Sequence, residues 1–170
     1  MSRYPHFLAT CQGTPYDVPI GHRNKWRTFK KGGIMLGDPI GYAQGSVVSS
    51  RVLEPIENEV NLEISFQGRG EILGFPFADM GTCRLVFRSD GMIHAKDGNI
   101  VMFGLQGETA RVQSSGLGRL CGPVPQGRYT STGTFETSAN CWKPLNELIG
   151  IFEFIVNEQG EYKVTIWAWK

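Results

Sequence analysis

The chain has 170 residues, 41% of them hydrophobic and 19% charged, with a formal net charge of +1, which suits one soluble domain large enough to bury its own core. That near-neutral balance argues against a nucleic-acid footprint and against charge attraction to a membrane surface, and no apolar run approaches the roughly 20 residues that span a bilayer. Four cysteines without CxxC spacing, and no histidine placed beside them, argue against a zinc site; with no charged-then-apolar leader, a cytoplasmic protein with reduced thiols is expected.

Residues 1–33 differ from the rest. They carry Pro5, Pro15 and Pro19, scattered aromatics, and a basic cluster of Arg23, Lys25, Arg27, Lys30 and Lys31. The pattern predicts an irregular N-terminal arm. Trp26 and Phe29 among the cations suit a phosphate-binding patch with stacking platforms, but one short basic run reads more simply as a solvated segment whose aromatics pin it to the body or to a neighbouring subunit.

From residue 34 to 170 the pattern predicts a single β domain. A strand over Gly41–Glu54 is followed by a turn at Pro55–Asn58. Glu59–Leu73 alternates most cleanly, with Val60, Leu62, Ile64 and Phe66 on one face and Asn61, Glu63, Ser65 and Gln67 on the other, and with Gly68 and Gly70 continuing the apolar face. Phe75-Pro76-Phe77 is expected to turn the corner, because proline fits poorly inside a ladder. Met80–Arg88 and Met92–Phe103 are strands joined by Ser89-Asp90-Gly91, and Asp-Gly between apolar runs is a strong hairpin signal. Along Met92–Phe103 the apolar set changes face, which places a bulge at Asp97-Gly98-Asn99; bulges re-aim side chains and are frequent beside sites. Glu108–Leu120 and Gly127–Thr137 are rich in Ser, Thr and Gly. Pro144 and an apolar stripe predict a short helix over Trp142–Ile149 before the last strands, Ile151–Asn157 and Glu161–Lys170.

Up-and-down order, short turns and abundant strand glycine predict an all-β fold, an antiparallel barrel of about eight strands with one short helix and the arm. Closure removes exposed edges, and a barrel of this size is filled by side chains or holds one small ligand.

The run Gly68–Arg84, the segment Gly116-Leu-Gly-Arg119 and the stretch Leu148–Glu158 are similar to small uncharacterised bacterial proteins of the calycin or allene-oxide-cyclase-like barrel type. The resemblance spans about Gly45 to Lys170 and rests on structural glycines and turns. It implies a barrel related to ligand carriers and to cyclases that fold a reactive chain inside the lumen.

The chain has no Gly-x-Ser-x-Gly elbow, P-loop, HExxH or dinucleotide fingerprint, so neither a cofactor nor a metal is expected. The catalytic candidates are isolated polar residues. Glu153, between Phe152 and Phe154, would be a raised-pKa general acid if desolvated, or else a strand residue paired with an arginine. His94 and Asp97 at the irregular strand are candidate bases, or solvated strand residues. Arg111 and Tyr129, on adjacent strands, could orient a carboxylate or enolate; Phe103, Trp142 and Trp167 are candidate ligand walls or ordinary packing. Two readings stay open. One is a barrel that binds a small apolar or amphipathic molecule and guides a cyclisation or isomerisation without a cofactor. The other is a binding or structural barrel without chemistry that forms a homo-oligomer through its arm.

Overall fold

In the computed structural model, which describes residues 37–56 and 59–169, eight antiparallel strands close into a barrel in the order of the sequence. They are β1 (Gly41–Ile56), β2 (Glu59–Ile72), β3 (Phe75–Phe87), β4 (Ile93–Gly104), β5 (Thr109–Leu120), β6 (Gly127–Thr137), β7 (Ile149–Val156) and β8 (Glu161–Trp169). β1 closes the wall by pairing with β8 from Gly41↔Ile166 to Ser46↔Glu161. The arm and its basic cluster lie outside the described residues.

The expected bulge is present. Pairing shifts at Thr82/Arg84 on one side of β4 and at Ala95/Gly98 on the other, and Asp97 adopts a left-handed backbone with φ of 52°. Before the break Ile93 and Ala95 point inward; after it Gly98, Ile100 and Met102 do, so one extra residue resets the parity of the strand.

Two local expectations are corrected. Phe75-Pro76-Phe77 does not turn the corner. The turn is earlier, at Leu73 and Gly74, whose φ values of 53° and 82° form the two-residue left-handed hairpin that matches strand twist. Pro76 sits within β3 opposite Glu71, and pairing with β4 begins only at Phe77, so its missing N–H breaks no ladder. The expected helix at Trp142–Ile149 is a single 3-10 turn, Lys143–Glu147, with Pro144 in its first turn and no side-chain cap. Its backbone bonds run from Leu145 N–H to the Trp142 carbonyl at 2.9 Å and from Leu148 N–H to the Leu145 carbonyl at 3.4 Å. Five residues with one proline give too few i→i+4 bonds to hold an α-helix.

This turn plugs one end of the barrel. Trp142 and Leu145 are 0% exposed and pack with Ile72, Phe77, Met102, Ala110, Phe135 and Ile166 to form a floor. Asn146 clasps the end of β6, accepting from Thr137 N–H and donating to the Thr137 carbonyl, both at 2.9 Å.

Candidate functional site

Above the floor the lumen is threaded by aromatic rings. Phe135 meets Phe152 (5.9 Å between centroids), Phe152 stacks on Phe154 (6.4 Å), and Tyr162 sits edge-on to both Phe154 and Phe66 (6.0 Å each). Glycines on facing strands make the room. A Cβ at Gly150 would lie 2.8 Å from the Phe135 ring, and one at Gly81 2.8 Å from Phe66.

Burial changes along the lumen. The floor is dry, whereas the inward-facing Phe66, Asp79, Ile100 and Phe154 of the midsection are only half-buried. The inner wall is therefore less fully covered at these positions than at the floor.

Asp79 is the polar centre of that midsection. Register explains how it gets there: Tyr162, Gly45, Gly68, Asp79 and Met102 lie side by side on β8, β1, β2, β3 and β4. Strands stand about 4.8 Å apart, so Tyr162 and Asp79 start roughly 14 Å apart around the wall. With only hydrogen between them at Gly45 and Gly68, the two side chains lie flat over the backbone and meet. The Tyr162 hydroxyl donates to Asp79 Oδ1 at 3.4 Å, and the Gly68 amide also donates to the carboxylate. Burial nevertheless wins over both hydrogen bonds and raises the Asp79 pKa from 3.8 to about 6. Burial, together with the charge of Asp79 and the hydrogen bond to it, pushes the Tyr162 phenol well above its ordinary range. The result is a carboxyl group that changes charge near neutral pH beside a hydroxyl that keeps its proton.

Nearer the other end of the lumen, Tyr129 points inward and donates to the Pro125 carbonyl at 3.4 Å. Burial lifts its pKa to about 12, with Cys83 and Cys121 adding to the effect, and burial lifts Cys83 to about 12 as well. A thiol held so high stays protonated and is a poor nucleophile.

The residues singled out from sequence do not converge. Glu153 is on the outer face, exposed, opposite Thr165 and Thr130, and so is not the desolvated acid its phenylalanine neighbours suggested: in a strand, those neighbours point the other way. His94 is also outside, its Nε2 accepting from Arg88 Nη1 at 3.0 Å. Asp97 is turned outward by the bulge and pairs with Arg84 at 2.6 Å. Arg111 lies outside facing Glu136 at 3.8 Å, on the opposite side of the wall from Tyr129. Phe103 and Trp167 are on the outer face, and Trp142 belongs to the floor. Tyr129 alone among these candidates faces the upper lumen.

Sequence reasoning passed over Asp79 and Tyr162. Placing the start of β3 at Met80 left Asp79 in a turn. Extending the alternation of Cys83, Leu85 and Phe87 back through Gly81 would have put a lone carboxylate on the apolar face.

The bulge does border a surface groove of about 580 Å³, lined by Asp97, Asn99, Gln113, Ser115, Thr132 and Ile149 among others. It is open and carries one charged side chain, already engaged with Arg84. Among the described residues no group of His, Cys, Asp and Glu is arranged to hold a metal, and no helix is long and apolar enough to cross a membrane.

No family model and no curated protein matches the chain. Solved structures do. A protein of unknown function from Clostridium acetobutylicum ATCC 824 is 12% identical, with a TM-score of 0.67 over 78% of this chain and 98% of that one. A β-barrel-like protein from Acinetobacter baumannii AYE is 14% identical, with a TM-score of 0.67 over 78% and 94%. An enzyme from Penicillium herquei is 16% identical, with a TM-score of 0.56 over 76% and 92%. At these identities the likeness is one of fold.

Proposed function

We propose that the protein binds a small apolar or amphipathic molecule in the upper lumen, entering from the end opposite the Trp142 plug, and that it carries out cofactor-independent isomerisation or cyclisation there. The carrying observation is the change of burial along the barrel, from a sealed floor to half-buried Phe66, Ile100 and Phe154 around a carboxyl group. Apolar walls with one or two placed polar groups are the usual make-up of a small-molecule site. The rings would orient the ligand and exclude water, and the carboxyl would supply the proton chemistry. That a neighbour of the same fold is an enzyme is in keeping with this reading. Native mass spectrometry of freshly purified protein tests it. A retained small molecule, released by denaturation and displaced by an aryl ketone, is the expected result; a bare chain that takes up no ligand from an apolar panel counts against it.

A second reading, a barrel without chemistry that assembles with copies of itself, is favoured by the outer face of β7, β8 and β1. There Ile149, Ile155, Trp169 and Tyr42 are 45%, 51%, 54% and 56% exposed. Sedimentation velocity over a range of concentrations decides whether copies associate.

A further inference from the structure

We propose that Asp79 and Tyr162 form a proton-transfer site for an enolisable carbonyl compound, with Asp79 as the base; the inference rests on the ligand-binding reading above. The geometry supports it. Asp79 is the one carboxylate on the inner face of the barrel midsection among the described residues, it is half-buried among Phe66, Met102 and Tyr162, and a hydroxyl lies 3.4 Å away. The glycines beneath the pair make room for both polar atoms on the inner wall.

The step balances without a co-reactant. The Asp79 carboxylate takes a proton from the carbon next to a carbonyl. The C–H electron pair becomes the new carbon–carbon π bond, and the carbonyl π pair moves onto oxygen as an enolate. Asp79, now neutral, no longer needs the Tyr162 hydrogen bond, so the hydroxyl proton turns to the enolate oxygen. Asp79 then returns that proton to a conjugated carbon, which completes an isomerisation, or first swaps it for a solvent proton and returns the new one to the same carbon, which completes an exchange. Tyr162 keeps its own proton throughout, in line with its raised pKa.

Asp79 is ionised above about pH 6, so the base form predominates at neutral pH. Of the described residues that face it, Gly68 and Phe66 on β2, Met102 and Ile100 on β4 and Gly45 on β1 carry no charge, and Tyr162 on β8 is the one that titrates. One ionisation should therefore shape the pH profile.

The test uses the full chain and α-tetralone, an aryl ketone whose body suits the ring-lined lumen. Exchange of its C2 protons in D2O is followed by proton NMR, and its binding by shifts of protein methyl signals. The expected result is exchange above the buffer rate that climbs through about pH 6, falls about 100-fold or more in Asp79→Asn while binding persists, and falls about 10-fold or more in Tyr162→Phe. Tyr162→Phe keeps the ring contacts, so it reads the hydroxyl even if Asp79→Asn folds poorly. Exchange in Asp79→Asn equal to that of the natural protein would overturn the proposal. Binding without exchange would overturn it and leave the ligand-binding reading standing. No binding of the ketone would remove both.

Discussion

The Tyr162 hydroxyl reaches Asp79 Oδ1 at 3.4 Å across two intervening strands because both of those strands carry glycine at the crossing point. A Cβ at Gly68 would lie against the Tyr162 hydroxyl and 2.8 Å from Asp79 Oδ1, and one at Gly45 would lie 2.6 Å from the hydroxyl. Gly68→Ala is expected to destabilise the fold by about 1–3 kcal/mol in urea titrations, as overpacked cores do. Part of that cost should vanish in the Gly68→Ala, Tyr162→Phe double variant, where the hydroxyl is gone. A strictly additive pair would separate the glycine from the hydroxyl.

Asp79 gives the barrel a pH signature of defined sign. Its folded pKa, about 6, lies above the unfolded value near 3.8, so the native state binds the proton more tightly. Stability from this group is full below about pH 4 and is lost as pH rises through about 6. Asp79→Asn should therefore raise the melting temperature at pH 8, by the equivalent of about 1–3 kcal/mol, and leave it unchanged near pH 4. The opposite pH dependence would mean that the carboxylate is stabilised by a partner.

The plug is a packing device. Trp142→Ala removes a 0% exposed indole from between Leu145 and the lower lumen, with an expected cost of about 3–5 kcal/mol by chemical denaturation. Its Nε1 has no hydrogen-bond partner among the described residues, so Trp142→Phe should cost much less than Trp142→Ala.

At the bulge, two small effects oppose each other. Asp97→Gly relieves a non-glycine left-handed backbone, worth about 1 kcal/mol, and loses a largely exposed ion pair with Arg84, worth about 0–1 kcal/mol. The net change in thermal melts should be a stabilisation of between about 0 and 1 kcal/mol. Asp97→Val loses the pair and strains the backbone further, so it should destabilise by about 1–2 kcal/mol in the same thermal melts.

The barrel was legible from period-2 alternation and Gly-containing turns, and even the bulge was legible, because the change of apolar face along Met92–Phe103 has no other simple cause. Pro76 misled because a proline is barred from a ladder only where a partner strand runs beside it, and β4 stops one residue short of it. The site was less legible. Glu153 lies between two phenylalanines in sequence, but a strand sends neighbours to opposite faces, so the adjacent rings mark the side it does not occupy. The meeting of Asp79 with Tyr162, 83 residues apart, depends on the register of three strand pairings, which no local pattern encodes.

Isoleucine δ1-methyl NMR tests the central assignment, a ligand site in the upper lumen, most directly, because isoleucines sample each region of the barrel. Ile64 and Ile100 face the half-buried lumen, Ile72 lies in the floor, and Ile149 and Ile155 are on the outer wall. On titration with α-tetralone, the Ile100 and Ile64 signals should move in a saturable way while Ile72, Ile149 and Ile155 stay in place. Shifts confined to Ile149 and Ile155, or no saturable shift at all, would contradict a ligand site in the lumen.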